Sequence, residues 1–180
     1  MSLATLPLLA ALASPVHAGE LAGVTLPDTA TLGGQQLVLN GMALREKFYF
    51  DVYVGGLYLP ARSSDGAAII ALDAPKKLEM SFILSETPAE KTVGAYRECW
   101  ELDPLYAHVR SQADTFASWI VDLAKGDTMT IQYEPGTGTT LLVNGQAKGA
   151  IPGDTFMKLI FGNYVGPNAD KALRTGMLGR

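Results

Sequence analysis

Between Asn40 and Pro60 apolar and polar residues alternate with a period of two. Phe48, Phe50, Val52 and Val54 fall on the even positions, and Arg45, Lys47, Tyr49, Asp51 and Tyr53 on the odd ones. Successive side chains of a strand point to opposite faces, so the stretch predicts one long strand. One face would be a core face, the other a wet face carrying a guanidinium and two phenols. Gly55-Gly56 marks a bulge or a close backbone approach, and Pro60 ends the strand. Shorter strands are predicted over Lys77–Leu84, over Asp127–Tyr133 with Met129, Ile131 and Tyr133 inward, and over Thr140–Val143. Asn40-Gly41 and Asn144-Gly145 are turn dipeptides, while Val24–Leu32 reads as loosely extended.

Helical spacing takes over elsewhere. Ser64–Leu72 predicts a short helix. At Thr87-Pro88-Ala89-Glu90 the threonine caps, the proline takes the first helical position and the glutamate closes a capping box, so a helix runs to about Trp100. A second starts at Asp103-Pro104 and runs through Lys125 to Gly126, with Leu105, Val109, Phe116, Ile120 and Leu123 on one face. Asp154 caps a helix to about Phe161, and Asn168 caps a last one through Arg174. Strands, helices, strands, helices in that order indicate an α+β class, a large antiparallel sheet with helices on one face.

A chain of 180 residues makes one full core, assigned to residues 19–180. Its net charge of -4 and its scattered Lys and Arg residues exclude the basic footprint of a nucleic-acid binder. Leu3–Ala13 is a Leu/Ala-rich run, too short to span a bilayer and followed by the small-ended Val16-His17-Ala18. It reads as a signal peptide cleaved after Ala18, although no Lys or Arg precedes Arg45, and it points to the periplasm or beyond. Cys99 is the only cysteine, hence expected to be buried in an oxidising compartment. With His108 the only histidine past the leader, no Cys/His metal cluster and no Ser-His pairing suggest themselves.

Several segments, in order, resemble the chalcone isomerase-like family and its exported bacterial branch. They are Leu-Asn-Gly-x-x-x-Arg at 39–45, Phe-Asp-Val-Tyr-Val-x-x-Leu-Tyr-Leu at 50–59 and Pro-Ala-Glu-Lys at 88–91. Gly-Asp-x-Met-x-Ile-x-Tyr at 126–133, Gly-Thr-Thr-Leu-Leu-Val-Asn-Gly at 138–145 and Gly-Asp-Thr-Phe at 153–156 complete the set. The resemblance implies an open-faced β-sandwich, a large antiparallel sheet packed on a helical layer with a cleft between them, and no cofactor. The family holds isomerases that close a chalcone to a flavanone, fatty-acid binders and non-catalytic homologues.

By this resemblance Arg45 matches the arginine that polarises a ketone in the isomerases or pairs with a carboxylate in the binders. Tyr53 matches a tyrosine of the binders where the isomerases carry threonine. The isomerase's catalytic tyrosine falls on Lys91 and its nearby asparagine on Glu98, which speaks against chalcone cyclisation. Candidate ligand-binding residues are therefore Arg45, Tyr53, Tyr49 and Lys91, with Arg45 the catalytic candidate if the chain is an isomerase. The expected function is a non-catalytic periplasmic binder of a fatty acid or similar amphiphilic carboxylate. A cofactor-free isomerase acting on a phenolic ketone and an exported protein-interaction module are the alternatives. Along a straight strand Arg45 and Tyr53 would stand about 26 Å apart at about 3.3 Å per residue. A shared anion site requires the chain to bend near Glu46-Lys47.

Overall fold

A computed structural model describes residues 18–180. The leader assigned to residues 1–18 thus lies outside the described residues except for Ala18. Seven strands form one curled antiparallel meander, paired in chain order: β3 (Thr29–Leu32), β4 (Gln35–Lys47), β5 (Phe50–Leu59), β6 (Lys76–Phe82), β7 (Thr128–Glu134), β8 (Gly138–Val143) and β9 (Gln146–Ile151). A separate hairpin joins β1 (Ala18–Leu21) to β2 (Val24–Pro27), so the segment read as loosely extended is largely strand. The helices are α1 (Gly66–Ala71), α2 (Ala89–Trp100), α3 (Tyr106–Ser118), α4 (Thr155–Val165) and α5 (Lys171–Met177).

The sheet buries both faces. Leu57, Leu78, Met80, Ile131 and Leu141 join the helices in the main core. α4 packs against the other four helices and buries residues nearly all round, as a central helix must. On the opposite face Leu26, Leu32, Leu37, Leu39 and Tyr58 form a second cluster under the β1–β2 hairpin, and the Tyr58 hydroxyl donates to the Pro27 carbonyl at 2.9 Å.

The predicted single strand over 40–60 is two strands. The chain reverses at Phe48-Tyr49, whose φ angles of 50° and 73° are those of a two-residue hairpin turn. Neither residue is the Asn or Gly such a turn favours, so the alternation runs through it unmarked. Two bulges then displace the faces. Asn40 is the extra residue of β4, between the pairs Leu39↔Tyr58 and Gly41↔Leu57. Val52 is the extra residue of β5, between Arg45↔Tyr53 and Glu46↔Asp51. Hence Tyr53 joins the helix-facing side together with Val52. Phe48 and Phe50, expected in the core, are 78% and 61% exposed at the hairpin tip. Gly55-Gly56 carries no bulge; it is the close approach, since side chains there would strike Met177 on one face and Leu26 on the other.

Helix ends also differ from expectation. Thr87 does not cap α2; its backbone pairs with Leu123, and the first-turn amide of Ala89 is bonded instead by the Asp122 carboxylate at 2.8 Å. That pairing draws residues 119–125 out of the predicted second helix, although Ile120 and Leu123 stay buried. α4 continues past Phe161 through Gly162. α5 is capped by Asp170 rather than Asn168: one Asp170 oxygen accepts from the Ala172 and Leu173 amides at 3.0 and 3.1 Å, while Asn168 turns away to the Leu102 carbonyl. Near its end α5 lies directly on β4. A methyl at Gly41 would run into the Gly176 carbonyl, so the absence of side chains lets the two backbones touch and sets α5 over the strand that carries Arg45.

Candidate functional site

Between the curled sheet and the helical layer lies a cleft of about 1000 Å³. That is the upper end of the range of about 300–1,000 Å³ typical of small-molecule sites. Its floor is strand: Tyr53 from β5, Met80 and Phe82 from β6, and Met129 from β7. Tyr96 of α2, Tyr164 of α4 and Leu173 of α5 form the opposite wall. Phe48 and Phe50 of the hairpin tip, Leu102 and Lys91 stand at the mouth, all exposed. The interior is mostly apolar.

Arg45 and Tyr53 are cross-strand partners. The hairpin turn places them side by side, where their Cα atoms are about 4.5–5.5 Å apart, instead of at the two ends of one strand. The bend comes at Phe48-Tyr49, slightly later than Glu46-Lys47. Arg45 is 18% exposed, and its Nη1 donates to the Asp170 carboxylate at 2.6 Å, the oxygen that the α5 cap leaves over. A second polar group sits deeper. The Tyr96 and Tyr164 hydroxyls bond to each other in the buried wall, and Tyr164 donates to the Met80 sulfur at 3.4 Å, which leaves Tyr96 as the donor to Tyr164.

Burial raises all three phenols well above their usual range. At Tyr53 the Arg45 guanidinium opposes that rise, Asp170 adds to it, and Tyr164 opposes it. At Tyr164 the neighbouring Tyr96 and Tyr53 add to the rise. All three therefore remain neutral near pH 7; Tyr96 and Tyr164 spend their protons on Tyr164 and Met80, which leaves the Tyr53 hydroxyl as the uncommitted donor. One end of an apolar cleft thus gathers a charge-compensated guanidinium with spare donors and the free hydroxyl of Tyr53, backed by the neutral Tyr96–Tyr164 pair, equipment for orienting a polar head group.

Of the residues singled out in the sequence, the structure brings Arg45 and Tyr53 together. Lys91 lines the mouth in the exposed first turn of α2, and Glu98 also borders the cleft. Tyr49 is fully exposed at the hairpin tip and does not line the cleft. Cys99 is half-buried rather than buried; it borders the cleft with its thiol 3.6 Å from the Asn168 carbonyl, and burial pushes that thiol up. Asp170, Tyr96 and Tyr164 join the site without being among the residues that the sequence singles out. Asp170 lies two residues past the cap expected at Asn168. Nothing local marks Tyr96 and Tyr164, which meet across 68 residues.

A second cation, this one fully buried, lies away from the cleft. Lys76 at the start of β6 is fully buried, donates to the Ile69 carbonyl at 2.7 Å, and stands over the rings of Phe161 and Tyr133 at 5.3 and 5.8 Å. Desolvation lowers its pKa to about 8, against an opposing pull from Asp73. Among the described residues no three His, Cys, Asp or Glu side chains gather as a metal site. No described helix is long and apolar enough to cross a membrane.

The architecture matches a solved fatty-acid binding protein of Arabidopsis thaliana with a TM-score of 0.70 at 15% identity, over 90% of this chain and 96% of that one. No curated protein matches the sequence. A family profile described as chalcone isomerase-like matches residues 18–179. With the same sheet, helical layer and intervening cleft on view, the chain belongs to the chalcone isomerase-like family.

Proposed function

We propose that the chain is a non-catalytic carrier of a fatty acid or similar amphiphile, held with its polar end at Arg45 and Tyr53 and its chain along Val52, Met80 and Phe82. The observation that carries this reading is the register pair Arg45↔Tyr53, which sets a guanidinium beside a phenol at one end of a large apolar cleft. The cleft volume of about 1000 Å³ accommodates an alkyl chain, and Tyr53, held neutral, supplies a donor rather than a base for proton abstraction. The exposed lysine at position 91 gives an isomerase no buried acid or base in its place. The interaction-module alternative gains from a collapsed cleft, and a cleft of about 1000 Å³ gives it no such support.

Native mass spectrometry of protein purified without detergent, with titration of a fluorescent fatty acid, tests the reading. A retained lipid or saturable binding that Arg45→Ala weakens is expected; no retained lipid and no saturable signal would refute it. We also propose export to the periplasm, on the apolar run Leu3–Ala13 and the small residues ending at Ala18. Intact mass of the protein recovered from a periplasmic extract checks it, with Gly19 the expected first residue.

A further inference from the structure

The polar end of the cleft contains a carboxylate of its own. Asp170 takes the Arg45 Nη1 with one oxygen and the Ala172 and Leu173 amides with the other, so it is fixed from both sides. Gly41 and Gly176 seat the end of α5 on β4 backbone to backbone, which anchors the helix that carries Asp170. The guanidinium presents five N–H donors, of which Asp170 uses one, so Arg45 still has donors to offer a ligand. Its charge, however, is already compensated. The remaining groups at this end, Tyr53, Tyr96 and Tyr164, are uncharged, and of these Tyr53 keeps its proton free to donate. At the rim the two lysines Lys47 and Lys91 stand among three glutamates, Glu86, Glu90 and Glu98.

We infer that Asp170 is the head-group specificity residue of this cleft: acting through Arg45, it disfavours a carboxylate and favours an uncharged hydrogen-bond acceptor, such as an ester or ketone carbonyl, on the same alkyl chain. A ligand carboxylate approaching Arg45 meets the negative charge of Asp170 at the same guanidinium, and two like charges on one site repel. An uncharged carbonyl accepts from Arg45 and Tyr53 without that repulsion. A free acid still binds, below its uncharged counterpart.

The inference rests on the amphiphile reading above, and its test separates the two. Dissociation constants for dodecanoic acid and for its methyl ester are measured at pH 7.5 on the full chain, wild type, Asp170→Asn and Asp170→Ser. Both replacements keep a side-chain oxygen that caps α5, and a thermal melt verifies that each folds. In the wild type the ester binds more tightly than the acid. Both variants tighten acid binding fivefold or more and leave the ester within twofold, a split that a merely structural role of Asp170 would not produce. An acid-to-ester ratio unchanged in both variants, or acid binding weakened by them, overturns the inference while the amphiphile reading stands. If neither ligand binds any of the three proteins, the amphiphile reading fails and this inference fails with it.

Discussion

Two cations are withdrawn from solvent on the same sheet, and they are handled in opposite ways. Arg45 keeps 18% of its side chain exposed, has a carboxylate partner and faces a cleft. Lys76 is fully buried, with one carbonyl and two aromatic faces for company, and the cleft does not reach it. The difference follows from chemistry: a guanidinium stays charged and offers spare donors, whereas an ammonium can lose its proton when desolvated. A perturbed pKa is therefore the poorer guide here. The lysine with the shifted pKa holds α1 to the sheet, and the arginine beside the cleft is the one that can meet a ligand.

The largest expected effect tests the lysine. Lys76 is lowered to about 8 in the folded chain, from an ordinary 10.5. Between those values the unfolded chain binds more protons, so the contribution of Lys76 to stability is at its most unfavourable below pH 8 and improves as pH rises. Urea unfolding of the wild type against Lys76→Met should show a gap that changes by about 2 kcal/mol in favour of the wild type between pH 8 and 9.5. The difference between the two proteins isolates Lys76 from the buried tyrosines, whose raised pKa values act in the opposite sense at higher pH. A constant gap would mean that Lys76 titrates normally.

Arg45→Ala should weaken the fluorescent fatty acid by about tenfold, the value of a charge-assisted hydrogen bond. It should cost less than about 1 kcal/mol in unfolding, because its ion pair is partly exposed. A loss of stability without a loss of binding would make Arg45 the structural cation of the two. Tyr53→Phe keeps the ring packed on Phe82 at 5.4 Å and removes only the hydroxyl. Binding should fall by about fivefold, with the melting temperature little changed. Lys91→Ala, at the exposed mouth, should alter affinity by less than about twofold in the same titration; a larger drop would move the head group from Arg45 to the rim.

Much of the architecture could be read from the chain. Period-two alternation over Met129–Tyr133 and the Asn144-Gly145 turn give β7 and the reversal after β8 as found. The hairpin at 48–49 could not be read, because its turn is built from aromatic residues held at positive φ, and alternation continues across it. Arg45 and Tyr53 stand out by resemblance, but their adjacency depends on that unmarked turn. Tyr96 and Tyr164 become site residues only when α2 and α4 pack over the sheet. Thr87 shows the reverse failure: its capping-box pattern is sound locally, and a long-range pairing with Leu123 overrides it.

The bulge at Asn40 gives the strand a counting rule. Its side chain holds the place firmly, donating to the Met177 and Ser63 carbonyls and accepting from the Ser63 amide. Removing this one residue would act on β4 as a frameshift acts on a message: every position from Gly41 to Lys47 would trade faces. Met42 would turn toward the helices, and Arg45 would turn away from the cleft although no cleft residue had been altered. A sequence alignment could therefore retain every residue of this site and still describe a protein that lacks it.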